Sequence, residues 1–164
     1  MARILLVGGG ARGRALAGAL LADGHAVRIT TRTEAGRAAI EAIGAECWIG
    51  TPDRIASLRY ALENVTLAAW LLGTVSGPRA AVAALHGERL AFFCGQAIDT
   101  TVRGLLYEAA GCVPRALLDG GAELVAAKAA YNEIPVRILR ADPAAGADWV
   151  AAAHAAVDEL LAPR

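Results

Sequence analysis

The chain has 164 residues, of which 56% are hydrophobic and 20% charged, and its 16 basic residues balance its 16 acidic ones. That length and apolar content fit one domain with ample core material. A formal net charge of zero argues against the strongly basic surface that nucleic-acid binding needs. No apolar run approaches the length of a membrane span; the longest, Val65 to Leu72, suits a buried strand. Cys47, Cys94 and Cys112 are widely spaced with no C-x-x-C, so they read as inert buried thiols rather than a disulfide framework or zinc site. A reducing cytoplasm is the simplest compartment. The first strand begins by residue 3, so no signal peptide is expected.

Ile4-Leu5-Leu6-Val7 is a short continuous apolar run, as a strand buried on both faces requires. It leads directly into Gly8-Gly9-Gly10-Ala11-Arg12-Gly13, in which Gly8, Gly10 and Gly13 fit G-x-G-x-x-G. The first glycine of that pattern makes a tight turn, the second lets backbone approach a pyrophosphate, and the third lets the next helix pack close to the strand. Leu16, Ala19, Leu20 and Ala22 recur at helical spacing, and Gly24 stands where a helix stop belongs. Val27 and Ile29 begin a second strand. Glu34 to Ile43 reads as a helix with Ala38, Ala39 and Ile43 inward, Thr33 as its N-cap and Gly44 as its stop. Ala45 to Ile49 is a third strand. Gly50-Thr51-Pro52-Asp53 turns into a further helix, with Ile55, Leu58, Ala61 and Leu62 at helical spacing.

Thr66 to Leu72 is the fourth strand; a loop over Gly73 to Pro78 and a short helix over Arg79 to Leu85 follow, broken by His86-Gly87. Glu88 to Asp99 is helical by the spacing of Leu90, Phe93, Cys94, Ala97 and Ile98. Val102 to Glu108 is the fifth strand, and Arg115 to Asn132 is mostly helical, with Gly120-Gly121 the place for a break. Pro135 opens a sixth strand ending at Leu139, and the last helix runs from about Ala147 to Leu161.

This alternation demands an α/β fold: a doubly wound parallel sheet, Rossmann-like, with about six strands and helices on both faces. Ligands of such a sheet lie across the carboxyl ends of its strands. The expected cofactor-binding residues are therefore Gly8, Gly9, Gly10, Ala11, Arg12, Gly13, Thr31, Arg32, Thr51, Gly73 and Thr74. A strand, a glycine turn and a helix inside about thirty residues is the context that gives the motif its dinucleotide reading. A fold preferring NAD carries Asp or Glu about twenty residues past the glycines. Here Thr31-Arg32-Thr33 stands in that place, which favours NADP over NAD: Arg32 would pair with a 2′-phosphate. Arg12 would add a second positive charge over the phosphates.

Laid out in this way the chain resembles the atypical short-chain dehydrogenase/reductases, and more narrowly the proteins described as NAD-dependent epimerases or NmrA-like NAD(P)-binding regulators. Leu5 to Gly13 carries the resemblance, with Ala22-Asp23-Gly24-His25, Thr31-Arg32, Ile49 to Asp53, Ala61 to Val65 and Ile134 to Pro143. It implies a nicotinamide cofactor and, for an enzyme, a small-molecule substrate. The family's Tyr-x-x-x-Lys pair is missing, because the sole lysine, Lys128, has Leu124 four residues before it. Ala109-Ala110-Gly111 stands where a serine is expected, and the chain stops about where the family's substrate-binding extension would develop. The resemblance thus implies a cofactor-binding or regulatory protein, or an enzyme with a non-standard acid.

Tyr107, near the end of the fifth strand, is the weak candidate for that acid; the competing reading is an ordinary core aromatic. Glu108 beside it points to the opposite face. Lys128 and Tyr131 share a helix face near the rim. His25, His86 and His154 show no partner at metal spacing, so no metal is expected. Leu90, Phe93 and the last helix offer apolar faces on which two copies would pair as a homodimer.

Overall fold

Six strands form one parallel sheet in the order β3-β2-β1-β4-β5-β6: β1 Arg3–Gly8, β2 Ala26–Thr31, β3 Glu46–Ile49, β4 Leu67–Leu71, β5 Leu105–Glu108 and β6 Val136–Leu139. The computed structural model describes residues 1–163, with the side chain of Ile55 outside the described set. The order reverses between β1 and β4, which sets the crevice where ligands of open parallel sheets bind. Every strand but β3 and β6 is nearly all buried, as a sheet covered on both faces requires.

Alternation along the strands builds two cores. Leu5, Val7, Trp70, Leu72, Leu105 and Tyr107 meet α3 (Arg79–Leu85), α4 (Glu88–Ile98) and α5 (Arg115–Tyr131) on one face. Ile4, Leu6, Ile29, Leu71 and Leu106 meet α1 (Gly10–Ala22), α2 (Arg37–Ala42) and α6 (Ala147–Leu161) on the other. No described helix is long and apolar enough to cross a membrane.

Four sequence expectations change. The helix expected after Asp53 is two 3-10 segments, Ile55–Leu58 and Tyr60–Leu62. Side chains capture the backbone groups an α-helix would need: the Trp48 indole donates to the Ser57 carbonyl, the Ser57 hydroxyl to the Arg54 carbonyl, and the Arg28 guanidinium to the Ala61 and Glu63 carbonyls. In α2 the inward residue is Ile40, while Ala38, Ala39 and Ile43 are exposed. A short helix preceded by a 3-10 turn at Glu34–Gly36 shifts the buried face. Leu90 and Phe93 are buried in the chain's own core, as are Trp149, Ala153, Val157 and Leu160 of α6. They are therefore not available to pair two copies.

Helix α5 runs unbroken through Gly120-Gly121. Gly121 serves packing instead, because a Cβ there would collide with the Tyr107 hydroxyl oxygen.

Candidate functional site

The glycine turn links β1 to α1 at the carboxyl edge of the sheet. Gly9 is the N-cap of α1 and has φ 97°, a left-handed conformation that side chains disfavour. A Cβ on Gly13 would stand 3.1 Å from the Gly8 carbonyl oxygen, so glycine lets the helix sit directly on the turn. The first intrahelical bond is Gly13 N–H to the Gly9 carbonyl at 3.0 Å. That leaves the N–H groups of Gly10, Ala11 and Arg12 outside the helix ladder. Gly10 and Ala11 are exposed, and the first turn of α1 carries no acidic residue. Free N–H groups and the positive end of the helix dipole coincide there, as anion binding requires.

Beside the turn, a shallow recess is lined by Gly8, Thr30, Thr31, Arg32, Gly50, Pro52, Leu72 and Leu85. Arg32 is exposed and forms no ion pair among the described residues. Its charge is available at the end of β2. Thr51 is half-buried and occupied locally: its N–H donates to the Ser57 hydroxyl and its own hydroxyl accepts from Asp53 N–H. Gly73 is buried and Thr74 exposed.

Arg12 does not reach over the turn. Its guanidinium folds down onto Glu108, with Nη2 2.5 Å from Oε1 and Nε 3.1 Å from Oε2. The same guanidinium donates to the Gly9 carbonyl, the Thr74 hydroxyl and the Leu71 carbonyl, and lies 5.3 Å from the Trp149 ring centroid. Glu108 is fully buried. Besides Arg12 it accepts from Gly73 N–H at 2.8 Å and from the Trp149 indole at 2.9 Å. Four donors on two oxygens satisfy a carboxylate that would otherwise be costly to bury. One cluster thereby ties the glycine turn to β4, β5 and α6. Sequence reasoning missed it. The available signals were a glutamate closing an apolar strand and a lone tryptophan in an alanine-rich helix.

Tyr107 sits on the opposite face of the sheet, fully buried. Its hydroxyl is 2.6 Å from His86 Nδ1, and His86 Nε2 is 3.0 Å from the Leu72 carbonyl. The carbonyl can only accept, so Nε2 carries the imidazole proton and Nδ1 accepts from the tyrosine. Burial pushes the His86 imidazole below its ordinary range, against the Leu72 bond and the Glu108 charge. Burial, with Glu108 adding to it, pushes the Tyr107 phenol up. Both groups are therefore neutral core partners, and Tyr107 has no opening to the cleft. Tyr60 and Tyr131 are exposed. Tyr131 ends α5, which leads into the amino end of β6, so it and Lys128 lie at the edge opposite the glycine turn.

Cys94 is buried but Cys112 is exposed, and all three cysteines are free. Cys112 borders a second recess with Val75, Arg79, Val82, Val113 and Leu117, between the loops that follow β4 and β5. Asp23, His154 and Asp158 bring their ligand atoms within 4.8 Å of one another, so His154 has partners that the sequence reading did not see. The geometry closes as a contact of 2.5 Å between His154 Nε2 and Asp23 Oδ2, joining the end of α1 to α6.

No protein-family model and no curated protein matches the chain. Solved structures do. A short-chain dehydrogenase/reductase superfamily protein from Agrobacterium tumefaciens, solved with bound NAD, is 21% identical with a TM-score of 0.69 over 84% of this chain and 48% of its own. UDP-glucose 4-epimerase from Thermotoga maritima, solved with UDP-glucose, is 13% identical with a TM-score of 0.72 over 84% and 54%. The fold is that of the short-chain dehydrogenase/reductase and epimerase structures. Vestitone reductase from alfalfa shares it at 16% identity and a TM-score of 0.65, over 85% of this chain and 56% of its own. The chain thus spans about half the length of the structures it matches.

Proposed function

We propose that the chain binds NADP(H) in one domain and acts through that binding, as a redox-sensing or regulatory protein without its own catalysis. The observation that carries the reading is the glycine turn. Three N–H groups outside the helix ladder stand at the start of α1, and an uncommitted Arg32 closes β2. Phosphates lie on the helix start, and the 2′-phosphate of the adenosine ribose pairs with Arg32. Folds that share this architecture include one solved with NAD, which supports a nicotinamide dinucleotide as the ligand.

A carbonyl reductase needs a proton donor at the cofactor. Tyr107 is sealed in the core with His86, and Lys128 belongs to the opposite edge. A second reading, a small NADPH-dependent oxidoreductase with a non-standard acid or a pocket completed by a partner, is favoured by the recess between the loops after β4 and β5. Calorimetric titration of cofactor-stripped protein with NADPH and NADH tests the binding reading. Binding of both, tighter for NADPH, supports it, and binding of neither removes it. NADPH oxidation with a panel of carbonyl compounds separates the two roles. Turnover selects the oxidoreductase; binding without consumption selects the sensor.

A further inference from the structure

We propose that Glu108 sets the anion affinity of the glycine turn by neutralising Arg12, so that removing the Glu108 charge tightens phosphate binding. This rests on the reading of the turn as a phosphate site. Arg12 belongs to the first turn of α1, the turn whose N–H groups face outward. Its Nη1 also touches the Gly9 carbonyl, so the cation stands against the turn itself. Left alone, it would add a full positive charge to the partial charge of the helix end. Glu108 offsets it through bonds of 2.5 and 3.1 Å, with side-chain exposure of 14% for Arg12 and 0% for Glu108. A carboxylate held this close in a water-poor setting offsets most of the cation's field, so an anion on the turn meets a much reduced charge rather than a full one.

This pairing changes what holds the ligand. Backbone N–H groups grip the pyrophosphate, while selectivity comes from Arg32 at the far end. Arg12 acts as a brace: it fixes the turn to Thr74, Leu71 and Glu108 and lends little net charge. Glu108 is a positioning residue that also limits affinity. Such a site would release its ligand readily when the ligand's concentration changes, which suits a sensor.

The test compares inorganic pyrophosphate and NADPH binding to wild type, Glu108→Gln and Trp149→Phe by calorimetry at low and high salt. Glu108→Gln removes the charge and leaves Arg12 uncompensated; its NH2 also replaces one acceptor oxygen that faces two of the four donors, so the charge is read from the salt dependence of the change. Binding of pyrophosphate tightens by about fivefold or more at low salt, and the gain shrinks at high salt. Trp149→Phe loosens the same carboxylate without altering its charge and does not tighten binding. A merely structural Glu108 would make both variants bind more weakly. Where Glu108→Gln alone does not fold, Arg12→Lys and Arg12→Lys/Glu108→Gln give the same comparison, because the compact, flexible ammonium gains water once its partner is neutral. Wild type that binds, with no tightening on loss of the Glu108 charge, overturns the proposal and leaves the phosphate site standing. Failure of wild type and variants alike to bind either ligand overturns both.

Discussion

Replacing Arg32 by alanine tests cofactor choice most sharply. The residue is exposed at the carboxyl end of β2 and forms no ion pair among the described residues, so its removal orphans nothing. A charged hydrogen bond to a 2′-phosphate contributes roughly 1.5–3 kcal/mol, and solvent screening at an exposed site trims this to about 1–2 kcal/mol. NADPH affinity should therefore fall by about 5- to 30-fold. NADH, which has a hydroxyl in place of that phosphate, should change by less than about twofold. Calorimetry on both cofactors reads the difference directly. The NADPH loss should shrink as salt rises, because the Debye length contracts from about 10 Å at 0.1 M to about 3 Å at 1 M. Equal losses for both cofactors would refute the assignment of Arg32 to the 2′-phosphate.

Gly13→Val should push α1 away from the Gly8 carbonyl, lowering the melting temperature and weakening both cofactors by about tenfold or more; unchanged affinity would mean the turn does not position the ligand. Gly121→Ala should destabilise the fold by driving a methyl into the Tyr107 hydroxyl, and Tyr107→Phe should relieve part of that cost. A double-mutant cycle should show coupling of about 1–3 kcal/mol, and additivity would contradict the packing described. His86 is held neutral, with its imidazole below the ordinary range. The unfolded chain therefore takes up a proton that the folded one refuses. Stability is full above the unfolded value of about 6.5 and declines as pH falls below it. Melting curves between pH 8 and 5 should show that decline, and His86→Gln should flatten it; an unchanged slope would remove His86 as its source.

Much of the fold was legible because apolar runs of strand length alternate with helical spacing and are separated by glycines. Helices α3, α4 and α6 lie where the spacing placed them, and Gly8 to Gly13 forms the turn that its pattern implied. The stretch after Asp53 was not legible, because its backbone is decided by Trp48, Arg28 and Ser57 rather than by its own periodicity. The cluster of Arg12, Gly73, Glu108 and Trp149 was hidden for a similar reason. These residues are far apart along the chain and meet only after β1, β4 and β5 stand side by side. Tyr107 drew notice for its place near a strand end. Its orientation toward Gly121 and His86, set by the alternation of β5, makes it a core residue.

In the proposed complex a dinucleotide's phosphates lie on the start of α1. Backbone amide shifts of labelled protein, followed while NADPH is added, test this most directly. The largest movements should fall at Gly9, Gly10, Ala11 and Arg12, with a second group at Thr31 and Arg32. Saturating NADPH that leaves these amides unmoved, or moves only residues at the opposite edge of the sheet such as Tyr131, would contradict it.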